Sequence, residues 1–132
     1  MKKNVFFLLM AWGVIANCQT VSRQLAEAVA TSHFHRYYTE PIVPQTVISN
    51  YKDSTICFYH VIMSNGAWCL VPATMLVEPI LMYGTEPYDT ADLAPAFVDL
   101  IEWYKIQIDS IAKGADETRT MPPAWNYLRG VL

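Results

Sequence analysis

Cysteine and histidine are the side chains here that could attack a carbonyl, and Cys57, His60 and Cys69 stand close together in the chain. A cysteine nucleophile needs a histidine to take its proton and a third group to orient that histidine. Three apart on a strand, Cys57 and His60 point to opposite faces, and no Asn or Asp is arranged around them. In papain-like enzymes the histidine follows the cysteine by roughly 130–150 residues, a separation that does not fit a 132-residue chain behind a signal peptide. His33 and His35 bracket Phe34, and on a helix a spacing of two turns side chains about 200° apart, away from a shared metal. Both are expected at solvent or at a helix end. No cysteine pair has zinc-finger spacing, no Gly-rich phosphate loop occurs, and Glu78, Glu86, Asp89 and Asp92 lack calcium-loop spacing. The expectation is a binding or structural module with no catalytic residue, metal or cofactor.

The chain of 132 residues has material for one core and not for two. It is 53% apolar and only 16% charged, a composition that folds. No basic run beyond Lys2-Lys3 exists, which argues against nucleic acid as a partner. Lys2-Lys3 followed by an apolar run over residues 5–15 reads as a secretory signal, too short for the roughly 17–25 residues of a membrane span. Ile15-Ala16-Asn17-Cys18 is similar to the lipobox of bacterial lipoproteins, although Asn17 departs from that pattern. Two outcomes stay open, plain secretion or lipidation of Cys18, the latter giving the only membrane contact expected. The protein is expected to be exported, to the periplasm, an outer-membrane anchor or the medium, and residues 19–132 carry a charge of −5.

Residues 21–38 place Val21, Leu25, Ala28, Val29, Phe34 and Tyr37 or Tyr38 at near-helical spacing behind Ser22 as N-cap, and Glu40-Pro41 and Pro44 end that helix. A strand over 45–51, a turn at 52–54 and two β-rich runs at 55–63 and 67–72 around Asn65-Gly66 follow. A two-residue turn there would pair Ser64 with Ala67 and Ile62 with Cys69. Cys57 would then face Thr74 and lie on the opposite face from Cys69, leaving two free, half-buried thiols. Residues 78–83 read as an edge strand entered by Pro79, and 84–92 as a breaker-rich loop. Asp92 is expected to cap a long helix with a stripe of Leu93, Phe97, Leu100, Ile101, Tyr104, Ile108 and Ile111, ending at Gly114. Residues 115–132 read as an extended tail, with Trp125 and Tyr127 either a β-addition segment or the start of a junction to a following domain. The fold class is α+β: a small antiparallel sheet packed with an N-terminal helix and a long C-terminal amphipathic helix, the helices on one face.

Asn65-Gly66-Ala67-Trp68-Cys69-Leu70-Val71-Pro72-Ala73, then Glu78-Pro79-Ile80-Leu81-Met82-Tyr83-Gly84, then Tyr88-Asp89, Leu93 and Trp103-Tyr104-Lys105-Ile106-Gln107-Ile108 form an ordered series. That series, within residues 55–110, resembles the propeptide of streptopain-type cysteine proteases, which also occurs alone as the small Spi protease inhibitor. Departures are Thr74 in place of an Asp, Met75-Leu76 in place of a polar pair, Met82 for Gly, Gly84 for Ser, and a loop one residue shorter that carries Pro87. The resemblance implies a domain over residues 19–114 that covers a protease cleft and holds the catalytic histidine of that protease out of place. It puts the contact at residues 85–92, through Thr85, Glu86, Tyr88, Asp89, Thr90 and Asp92, with Tyr83 and Trp103 as further contacts. A loop held between an edge strand and a stable helix needs little ordering on docking, and Tyr88 offers a rigid anchor. The alternative at that point is an ordinary connection with Tyr88 packed on the first turn of the helix. The function expected is a secreted inhibitor of streptopain-like cysteine proteases; the alternatives are a propeptide severed from its protease, or an envelope lipoprotein module with an unrelated ligand.

Overall fold

A computed structural model describes residues 20–87, 94–114 and 118–129. The expected signal and Cys18, together with Tyr88, Asp89, Thr90, Asp92 and Leu93, lie outside the described residues. The elements are α1 (Arg23–Phe34), β1 (Pro44–Lys52), β2 (Thr55–Met63), β3 (Trp68–Pro72), β4 (Met82–Gly84), α2 (Pro95–Ala112) and α3 (Ala124–Arg129). The strands form an antiparallel meander in the order β1-β2-β3-β4, so the α+β class with an antiparallel sheet is what the chain adopts.

Ser22 caps α1 by accepting the Leu25 amide at 3.1 Å, and Ala26, Val29, Ala30 and Phe34 go to the core. Between β1 and β2 the chain turns on Asp53-Ser54, with Asp53 at φ 55°, a left-handed conformation that Asp tolerates. The turn into β3 uses three residues, Ser64-Asn65-Gly66, instead of two. Met63 N–H donates to Ala67 O at 2.7 Å, Gly66 N–H to Met63 O at 3.0 Å, and Gly66 takes φ 91°. A type I turn closed by a left-handed glycine accounts for this. Ile62 therefore pairs with Trp68 and Val61 with Cys69, one residue from the expected register.

A second irregularity offsets the first. Asn50 pairs with Phe58 while Tyr51 pairs with Ile56, so Cys57 is an extra residue in β2, a β-bulge that reverses the alternation. Cys57 joins Phe58 and Leu70 on one face, whereas Ile56 packs with Tyr59 and Val61 on the other. Cys57 and Cys69 thus do lie on opposite faces and remain free, both fully buried where half-burial was expected.

The helices cover both faces of the sheet, where one covered face was expected. α1 packs on Val47, Tyr59, Val61, Met63, Cys69 and Val71, and α2 on the side of Cys57, Phe58 and Leu70 through Ile101, Tyr104 and Ile108. Two covered faces explain why β2 reads as a continuous apolar run. The run expected as a strand over 78–83 pairs only at Met82–Gly84. Helix α2 starts one residue beyond Ala94, with Pro95 in its first turn and no side-chain cap.

The C-terminal segment expected to be extended contains α3. Trp125 in it is completely buried in the α1-side core, and its Nε1–H donates to Val77 O at 2.7 Å. Two prolines precede the helix, and Pro122 O and Pro123 O accept the Trp125 and Asn126 amides. Trp125 is a core residue and is not available for strand addition.

Candidate functional site

The candidate contact segment leaves the sheet at β4, and the residues around that exit fix its direction. Trp68 lies directly over Gly84: a Cβ there would sit 2.6 Å from Trp68 Nε1, so any side chain would have to displace the indole. The indole is wedged edge-on against His60 at 5.6 Å and against Phe97 of α2 at 5.9 Å. Leu81 N–H donates to Leu70 O at 2.9 Å, and the Tyr104 hydroxyl to Leu81 O at 3.3 Å, so α2 and β3 both hold the strand's approach. Three residues on, Pro87 rests on the hairpin turn, its Cγ 3.3 Å from where a Gly66 Cβ would stand. Thr85 and Glu86, between these two fixed points, are exposed. Residues 88–93 then connect Pro87 to Ala94 at the head of α2.

Tyr83 faces the α1 side. Its ring is edge-on to His33 at 4.5 Å and to Phe34 at 6.4 Å, and its hydroxyl is 3.2 Å from that of Tyr37. That hydrogen bond raises the Tyr37 phenol above its ordinary pKa, with the Arg36 charge opposing. Tyr37 and Tyr83 are about half-exposed, so the cluster is an open aromatic surface beside the edge strand. His33, expected at solvent or a helix end, is half-buried in this cluster, and burial lowers its pKa; His35 caps α1 and is exposed. Trp103 is 53% exposed on the outer side of α2, touching its neighbour Tyr104 at 5.4 Å. Tyr83 and Trp103 are on opposite sides of the sheet, so the structure brings Tyr83 to the base of the segment and leaves Trp103 apart. Val98 and Ile106 are also exposed on α2.

The nucleophile candidates are chemically quiet. Because of the bulge, Cys57 and His60 share the α2 face, contrary to the expectation of opposite faces. Burial nonetheless raises the Cys57 thiol, whose Sγ–H is directed to Thr55 O at 3.8 Å, and pushes Cys69 up to about 12. Burial also pushes His60 down to about 4, leaving it a neutral imidazole at pH 7. Among the described residues no group of three His, Cys, Asp or Glu side chains could hold a metal ion, and no helix is long and apolar enough to cross a membrane.

The buried carboxylate of Asp109 centres a charged cluster: Lys113 at 3.0 Å and Lys52 at 3.5 Å share its Oδ2, and the Lys113 hydrogen bond lowers its pKa. It ties the end of α2 to the β1–β2 turn. The sequence pointed to neither this tie nor the Trp125 anchor. For Trp125 the one usable signal was Pro122-Pro123-Ala124, since proline is favoured at a helix start. No family model, no curated protein and no solved structure matches the chain.

Proposed function

We propose that this protein inhibits streptopain-like, papain-fold cysteine proteases by occluding the active-site cleft with residues 85–92, in the manner of a propeptide and without chemistry of its own. The observation that carries it is the clamping of the segment's entry, Gly84 beneath Trp68 and Pro87 on the Gly66 turn, with its exit set by the start of α2. Fixed ends lower the conformational entropy that a docking segment has to give up, which favours inhibition over digestion as a substrate. The protonated, buried thiols of Cys57 and Cys69 suit a non-covalent inhibitor. Thr85 and Glu86 would contact the rim, and Tyr88 with Asp89 would enter the cleft.

The test is a titration of residues 19–132 against a purified mature streptopain-like protease, following peptide hydrolysis. Saturable inhibition with the small protein intact is expected. Tyr88→Ala combined with Asp89→Ala should weaken inhibition by about tenfold or more, as removal of an anchor does, at an unchanged melting temperature. Equal inhibition by parent and double variant would overturn the segment assignment, and digestion without inhibition would overturn the function.

A further inference from the structure

A cleft of about 330 Å³ opens between the chain that follows α1 and the β2–β3 hairpin, lined by Tyr37, Tyr38, Thr39, Glu40, Ile42 and Asn65. Its size is at the lower end of the roughly 300–1,000 Å³ usual for ligand pockets. Its walls are held by contacts to the rest of the fold. Tyr38 packs against Phe34 at 6.3 Å, and Tyr37 is tied to Tyr83 through the two hydroxyls. Opposite them, Asn65 Oδ1 accepts the Ala67 amide at 3.1 Å, which fixes the hairpin side. Glu40 is exposed and forms no ion pair among the described residues. Two tyrosines and a carboxylate without an ion pair among the described residues line one small cleft, a combination whose chemistry suits a cation.

We propose that this cleft is a subsite for a basic side chain of the partner, with arginine favoured over lysine. A guanidinium can stack on a tyrosine face while its fork meets the Glu40 carboxylate, which an ammonium cannot do in the same way. The charge of −5 over residues 19–132 steers basic surfaces toward the protein. The cleft also borders the proposed contact segment: Asn65 precedes the Gly66 on which Pro87 rests, and Tyr37 touches Tyr83 of β4. As a contact with a protease the subsite rests on the proposed function, whereas cation binding by the cleft does not. Arg36 is the fixed charge that opposes it, since its field reaches Tyr37.

The test is a titration of the full chain with N-acetylarginine amide and, separately, with the neutral isostere N-acetylcitrulline amide, followed by amide shifts in NMR spectra. Saturable shifts at Tyr37, Tyr38, Glu40 and Asn65 are expected for the arginine compound alone. Glu40→Gln should weaken binding by about tenfold, Tyr37→Leu should weaken it too, and Arg36→Ala should strengthen it. Equal binding of citrulline, or no change in Glu40→Gln, would overturn the subsite. In a parallel protease assay Glu40→Gln should raise the inhibition constant by a similar factor. Arginine binding without any protease inhibition would overturn the inhibitor function and leave the subsite; inhibition without arginine binding would do the reverse.

Discussion

Replacing Gly84 by alanine tests the clamp at the base of the candidate segment. The new methyl would lie 2.6, 2.7 and 2.8 Å from three atoms of the Trp68 indole, against the roughly 3.5–4.0 Å of ordinary carbon contact. The indole must retreat by about 1 Å, and it is hemmed in by His60 and by Phe97 on α2. Overpacking of this kind costs about 1–3 kcal/mol. Alanine in a strand regains about 0.5–1 kcal/mol over glycine, leaving a net loss of about 1–2 kcal/mol. For a domain of this size that lowers Tm by about 4–8 °C in thermal unfolding followed by circular dichroism. In a Trp68→Ala background the clash is absent, so Gly84→Ala should become neutral or mildly stabilising, a coupling of about 2 kcal/mol in the double-mutant cycle. Inhibition should fall with the single substitution because the segment's exit direction changes. A penalty of equal size in both backgrounds would refute the clamp.

Trp125→Ala should destabilise the fold by about 3–5 kcal/mol in urea titrations, because a fully buried indole is removed, and Trp125→Phe by about 1–3 kcal/mol through the unpaired Val77 carbonyl. A change near zero would mean that α3 is not part of the core. For pH, the buried His60 binds its proton only near pH 4 when folded and near 6.5 when unfolded, so stability is full above 6.5 and falls by about 3 kcal/mol as pH drops to 4. His60→Phe should remove most of that slope, with the remainder from His33, whose shift has the same sign; the Asp109 pair contributes only at more acid pH. An unchanged slope in His60→Phe would overturn the assignment.

Much of the fold was readable from local pattern. The bounds of β2, the Ser22 cap and the stripe of α2 follow from residue type and spacing, and the sheet class follows from element order. Register was not readable, because it depended on whether Gly66 would close a two- or a three-residue turn, a difference of one backbone conformation that the Asn-Gly pair permits either way. The Cys57 bulge was equally silent, since it answers to packing on both faces of β2. α3 was hidden for another reason: six residues carry too little periodicity to announce a helix, and what stabilises this one is a tertiary slot for Trp125. At the candidate site, Tyr83 was visible as a motif position and Gly84 as a departure from the motif. That Trp68 and Pro87 hold the segment's entry required the folded geometry.

The bulge at Cys57 also bears on how the chain can tolerate a change of length. Only Thr55 and Ile56 lie between it and the Asp53-Ser54 turn, so an insertion or deletion there would re-face two residues of β2 and their partners at the end of β1. A one-residue change in Ser64-Asn65-Gly66 would instead re-face all of β3, moving Cys69 and Val71 out of one core and Leu70 out of the other, and would carry β4 with it. The two turns therefore set unequal limits on drift in loop length: wide latitude at the first hairpin, and almost none at the second.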